Sequence, residues 1–264
     1  NRDLFVTEAC EYVESFLTLR PTLALINNID DDHLDYYDNI DAIVAAFERF
    51  LALLPEDGTF VACVDDPRVK ALADKSDLHV VTYGLTGGEY TATKIEFDAL
   101  GNVVRRGEAL GRVQLSVPGI HNVVNALGAI AVSDHFGVSF PVLAKALRDF
   151  HNTRRRFEFY GERNGVKVFH DYGHHPNEIR ATLDAATRVP HKKLFCVFQC
   201  NSYTRARTLF CNNVTCFKDA DMVLVPDIYP GREKDTGIVH ARDMVHAINK
   251  ESDNAVYIPT FEEI

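Results

Sequence analysis

Short apolar runs alternate with amphipathic helical segments along nearly the whole chain, and this alternation most narrows the possible folds. Strand-like runs fall at Leu4–Thr7, Leu23–Asn27, Thr59–Val64 and His79–Tyr83. Between them lie helical stretches. One follows Asn39, a suitable cap, with Ile40, Ile43, Val44, Phe47, Leu51 and Leu54 on one face; another covers Pro67–Ala73. Strands separated by helices of this length predict an α/β fold with a parallel sheet. The pattern changes between Glu89 and Ser116. Here Tyr90–Phe97, Val103–Arg106 and Gly111–Ser116 alternate and are punctuated by glycine, which reads as a small antiparallel sheet. Helices follow at His121–His135 and Pro141–Phe150.

The polar, basic stretch His151–Arg156 reads as a junction that divides the chain into domains at 1–151 and 152–264. Beyond it a second α/β unit is expected. Its strands are Phe157–Tyr160, Val166–Phe169, Leu194–Phe198, Met222–Val225 and Ala255–Ile258. Its helices are Pro176–Thr187, Arg205–Val214 and Ala241–Asn249. Asn1 leads almost directly into Leu4-Phe5-Val6, and Phe261–Ile264 resembles a helix just starting. Both ends are therefore expected to be cut from a longer chain.

With 46% hydrophobic and 25% charged residues over 264 positions, the composition is that of an ordinary water-soluble chain. A net charge of -10 argues against broad nucleic-acid binding but admits a phosphorylated ligand, which needs only local cations and backbone N–H groups. No apolar run approaches the ~20 residues of a membrane span, and no signal peptide is visible. The six cysteines form no CxxC pair and read as free thiols, so a cytoplasmic location is expected.

Five clusters carry candidate chemistry. The densest is His170-Asp171-Tyr172-Gly173-His174-His175-Pro176, between a strand and a helix opened by Pro176. This placement predicts a ligand site at the carboxyl end of a strand. Glu8 and the run Asn28-Ile29-Asp30-Asp31-Asp32-His33-Leu34-Asp35 each follow an expected strand, and carboxylates there suit Mg²⁺. The alternative is a solvated acidic turn that caps a helix. Asn122 and Asn125 stand three apart at a helix start, where paired amides can read a base edge; capping is the plainer alternative. Arg154-Arg155-Arg156 offers phosphate-binding guanidinium groups or a solvated linker. Arg205 and Arg207 follow Leu194–Phe198 and can hold a carboxylate or face solvent.

Together, Glu8-Ala9-Cys10-Glu11-Tyr12, Asn28–Asp35, Pro118–Ala126, Arg155-Arg156-Phe157, Asp171–Pro176 and Tyr203-Thr204-Arg205, in this order and spacing, resemble the Mur ligases of peptidoglycan synthesis. The resemblance covers nearly the whole chain. It implies most of a central ATPase domain and much of a Rossmann-like C-terminal domain. It also implies ATP-driven amide formation through an acyl phosphate. Tyr172 and the His-His-Pro motif favour the member that joins L-alanine to UDP-N-acetylmuramate over the murein-peptide ligase. By the same resemblance, Glu8 and His33 are the metal pair, Asn122 and Asn125 the adenine amides, Arg156 a phosphate-reaching arginine and Asp171 the acid near the ribose. Tyr172, His174 and Arg205 line the amino-acid pocket. Glu8, His33, His174 and Arg205 become the catalytic candidates, with ATP and Mg²⁺ as cofactors and no nucleic-acid or membrane partner.

Two departures stand out. No Gly-Lys-Thr or Gly-Lys-Ser occurs, so this stretch by itself is not expected to cradle ATP phosphates or turn over substrate. Cys200-Asn201-Ser202 stands where the family usually reads Pro-His-Arg, which shifts carboxylate binding toward Arg205 or Arg207. Two other classes remain open at this stage: a metal-dependent hydrolase using His170, His174 or His175, and a non-catalytic homologue that binds ligand.

Overall fold

A computed structural model describes residues 4–34, 36–96, 101–151 and 153–264; Asp35 and Phe97 of the expected elements lie outside them. The chain separates into two compact units. One comprises 1–116 and 122–150, the other 117–121 and 151–264.

In the first unit β1 (Leu23–Ile26), β2 (Thr59–Cys63) and β3 (His79–Tyr83) run parallel. Every residue of β2 is buried, as expected for a strand covered on both faces. Helices α1 (Ile40–Leu51) and α2 (Pro67–Lys75) make the crossovers. The Asn39 side chain accepts from Ala42 N at 3.0 Å, so the expected cap is present. Asn39→Ala is expected to cost about 1 kcal/mol of stability, read as a lower denaturant midpoint.

The Gly-punctuated segments do not form a sheet of their own. β4 (Tyr90–Thr93) adds to β3 in parallel, and β5 (Gly101–Arg105) and β6 (Glu108–Val113) continue the same six-stranded sheet antiparallel. Helices α3 (Ile120–His135) and α4 (Phe140–Asp149) follow. Asp134 on α3 takes hydrogen bonds from Tyr90 Oη and Arg105 Nη1, which ties the helix to this extension.

The expected strand at Leu4–Thr7 is not formed. These residues pair with no strand among the described residues, and Leu4, Phe5 and Val6 are exposed. A run of apolar residues becomes a strand only where an edge offers its hydrogen bonds. What anchors this region instead is a 3₁₀ segment, Tyr12–Thr18, whose Phe16 is buried and stacks on Phe50 with ring centroids 4.7 Å apart.

In the second unit β7 (Glu158–Arg163) and β8 (Val166–His170) form a separate antiparallel hairpin. It turns at Asn164 and Gly165, both with positive φ. The His170–Pro176 segment therefore leaves a hairpin strand and not the parallel sheet, which corrects the expected placement. A two-residue connection permits only antiparallel pairing. The parallel sheet itself has the order β11-β10-β9, from β9 (Phe195–Val197), β10 (Met222–Val225) and β11 (Ala255–Tyr257). Its helices are α5 (Pro176–Thr187), α6 (Tyr203–Thr208), α7 (Phe210–Val214) and α8 (Ala241–Glu251); the single helix expected at Arg205–Val214 breaks at Leu209. Val223, Phe217, Ala206 and Ile248 are wholly buried in this core. All six cysteines are free, and burial pushes the Cys196, Cys200 and Cys216 thiols up to about 12, so they pack as apolar groups.

Candidate functional site

The carboxyl edge of the first sheet gathers polar loops. After β2, Asp65 accepts from Leu85 N at 2.7 Å and Thr86 N at 2.9 Å, while Asp66 caps α2 through Arg68 N and Val69 N. Arg68 Nη1 donates to Ile29 O at 3.2 Å, which ties the acidic loop after β1 to the start of α2. Within that loop Asp30 and Asp32 accept from the N–H of the next residue, and His33 adopts a left-handed backbone, φ 57°. Its Nε2 lies 3.6 Å from Glu11 Oε1 and 3.9 Å from Asp32 Oδ2, and its ring packs on Tyr12.

Glu8 is exposed and makes no ion pair with His33 among the described residues. Glu8 and His33 are therefore not within ion-pair distance of each other. Among the described residues no three His, Cys, Asp or Glu side chains are grouped to hold a metal ion. The same observation leaves the hydrolase alternative without a ligand set.

Asn125 is exposed on α3, and its Oδ1 accepts from Asn27 Nδ2 at 3.4 Å. Asn122 lies partly buried one turn before it.

In the second unit the His-rich loop is a braced structure. Asp171 accepts from Phe157 N at 2.7 Å and from Gly173 N at 2.6 Å, which fixes both ends of the turn. Tyr172 N donates to Arg155 O, and the Arg155 guanidinium lies 4.9 Å from the Tyr172 ring centroid. His175 caps α5 by accepting from Asn177 N, an unusual use of imidazole, and the Glu178 carboxylate completes the capping box.

Glu178 was not singled out from the sequence, yet it organises the loop. Its Oε2 accepts from His174 N at 3.0 Å and His175 N at 3.2 Å, and its Oε1 meets Arg156 Nη1 at 2.9 Å. Burial acts to raise this carboxyl. The bonds from His174 N–H, Arg156 and His175 N–H outweigh it and hold the group below the usual carboxylate range. A Glu three residues after a helix cap was the signal available in the sequence. The His174 ring meanwhile has its Nδ1 3.0 Å from Tyr172 O.

A second residue missed is His121. Burial lowers its pKa, against the opposing charges of Asp171 and Asp184, so the ring is held neutral near pH 7. Gly119 makes room for it. With φ +101° and the His121 Cε1 only 2.5 Å from where a Cβ would stand, any other residue would be strained and would push the ring aside.

Arg205 lies in the first turn of α6 and donates its backbone N–H to Ser202 Oγ at 3.2 Å. Its positive charge acts to lower the pKa of the buried Cys200 thiol, against the larger effect of burial. Ser202, where an arginine was expected, is the cap of α6. Glu233 accepts from Thr204 N at 2.8 Å and closes the other side of this turn.

Comparison with known proteins matches residues 1–133 to the Mur ligase middle domain and residues 155–264 to the Mur ligase, glutamate ligase domain. A UDP-N-acetylmuramate–L-alanine ligase of Clostridium tetani is 43% identical over 99% of this chain, which spans 58% of that protein's length. The structure is similar to UDP-N-acetylmuramate-alanine ligase from Thermotoga maritima, with a TM-score of 0.72 and 26% identity over 94% of this chain and 53% of that one. It also shares its fold with the MurF ligase from Thermotoga maritima crystallised with ADP, with a TM-score of 0.70 and 16% identity over 90% of this chain and 52% of that one.

Proposed function

We propose, from the premise that this chain belongs to the Mur ligase family, that it supplies nucleotide-binding and amino-acid-binding parts of an ATP-dependent UDP-N-acetylmuramate–L-alanine ligase. The observation that carries this reading is the 43% identity to such a ligase over 99% of the chain, through both units. The chemistry would begin with transfer of the ATP γ-phosphoryl group to the muramate carboxylate. The amine of L-alanine then attacks the acyl phosphate, an amide forms and phosphate leaves. The protein must therefore position three ligands, hold negative charge and exclude water.

In this reading Asn122 and Asn125 read the adenine, Arg156 reaches a phosphate and Asp171 lies near the ribose. Tyr172, His174 and Arg205 take L-alanine. The bracing of the His174 loop supports this, because its hydrogen bonds hold the loop backbone in place. Mg²⁺ belongs to the reading as the ion that accompanies the ATP phosphates and neutralises their charge. Glu8 and His33 would be the residues to hold it, although they form no ion pair with each other here. A ligase acting on UDP-linked precursors would work in the cytoplasm. Among the described residues no helix is long and apolar enough to cross a membrane.

The test is phosphate release by the full-length protein given UDP-N-acetylmuramate and ATP. Release that depends on L-alanine, with a new UDP-N-acetylmuramoyl-alanine product by mass, is expected. Release driven instead by a free tripeptide would assign the murein-peptide ligase activity. Nucleotide binding without release would assign a non-catalytic homologue.

A further inference from the structure

A polar relay at the carboxyl edge of the first sheet runs from the buried Tyr83 through the exposed Asn27 to Asn125, joining a family motif to two residues outside the motifs. Tyr83, the last residue of β3, is fully buried, and its phenol donates to Oδ1 of Asn27, the residue that follows β1. Asn27 Nδ2 in turn donates to Oδ1 of Asn125, which is exposed on α3. The phenol reaches the helix because residue 128 is glycine. A Cβ there would lie 3.0 Å from both Cζ and Oη of Tyr83. Gly128 and Asn125 are three apart on α3 and share a face.

The donors run outward from the phenol. Burial raises the Tyr83 pKa far above its ordinary value, with Cys63 and Asp65 adding to the effect, so the phenol keeps its one proton. That proton goes to Asn27 Oδ1, which turns the Asn27 nitrogen toward Asn125. Asn125 must then hold its oxygen inward and present Nδ2 outward.

We propose that Tyr83 and Asn27 are positioning residues that lock the amide of Asn125, so that α3 offers a fixed donor to the nucleotide base and thereby selects adenine. The inference rests on the reading of Asn125 as a base-contacting amide. Adenine presents a ring-nitrogen acceptor beside an amino donor. Hypoxanthine presents N1–H beside a carbonyl, the reverse order. A locked amide matches the first, whereas an amide free to turn matches either.

The test compares ATP with ITP in the full-length protein. Tyr83→Phe keeps the ring against Gly128 and removes only the hydroxyl. It is expected to raise KM for ATP about three- to tenfold and to shrink the ATP-over-ITP preference in kcat/KM by a similar factor. Neither kcat at saturating ATP nor KM for L-alanine should move. Asn27→Asp, which can only accept, should draw the Asn125 nitrogen inward and shift the preference further toward ITP. An unchanged ATP-over-ITP ratio in both variants overturns the relay. So does an equal loss for both nucleotides with a lowered Tm, which marks a structural role alone. If the wild-type protein uses ATP and ITP alike, or Asn125→Ala leaves KM for ATP unchanged, the base-contact reading itself has failed.

Discussion

Arg205→Ala in the full-length protein is expected to raise KM for L-alanine on the order of a hundredfold and to leave KM for ATP within about twofold. L-Alanine offers a methyl group, an amine and a carboxylate, so its recognition depends on the charged ends. A guanidinium fork is the strongest carboxylate partner a side chain provides. The Ser202 hydroxyl caps α6 by accepting from Arg205 N, and Ser202 sits at φ 74°. It therefore serves the helix, and in the proposed reading the carboxylate would fall to Arg205. The same geometry changes what Ser202→Arg should do. That variant loses the cap and costs about 1 kcal/mol of stability, whatever charge it adds. Steady-state kinetics with each substrate varied in turn decide the matter. A wild-type KM for L-alanine in Arg205→Ala would move the role to Arg207, two residues further along α6.

Glu178→Ala is expected to lower the stability of the second unit by about 2–3 kcal/mol and to loosen the His174 loop. The effect comes mainly from the two backbone N–H groups of His174 and His175, which would lose an ionised acceptor. The Arg156 arm adds little, because its side chain is 47% exposed and solvent screens the pair. The same carboxylate predicts a pH dependence. Its pKa is depressed in the folded state, so its contribution is complete above the ordinary value of 4.5 and is lost as pH falls through the lower folded value. Wild-type stability should therefore decline below about pH 4.5, and Glu178→Gln should flatten that decline. Urea unfolding from pH 7 to pH 3 measures both. Parallel pH profiles for wild type and Glu178→Gln would show that the carboxylate carries no such linkage.

Much of this protein was legible in short windows of sequence. Pro176 at a helix start and Ile179, Leu183 and Ala186 at helical spacing set α5 at Pro176–Thr187, as observed. Asn39 before an apolar stripe marked α1, and a continuous apolar run marked β2. These are local matters of capping, dihedral preference and periodicity, each decided within a few residues. What tertiary structure alone decided is partnership. Leu4–Thr7 has strand-like residues and, among the described residues, no strand to pair with. Glu178 became the brace of the His174 loop partly through Arg156, 22 residues away. The Tyr83–Asn27 and Asn27–Asn125 bonds span 56 and 98 residues. A hydrogen bond between distant residues leaves no period in the sequence, because its geometry exists only once strands and helices have packed and closed the loops between them.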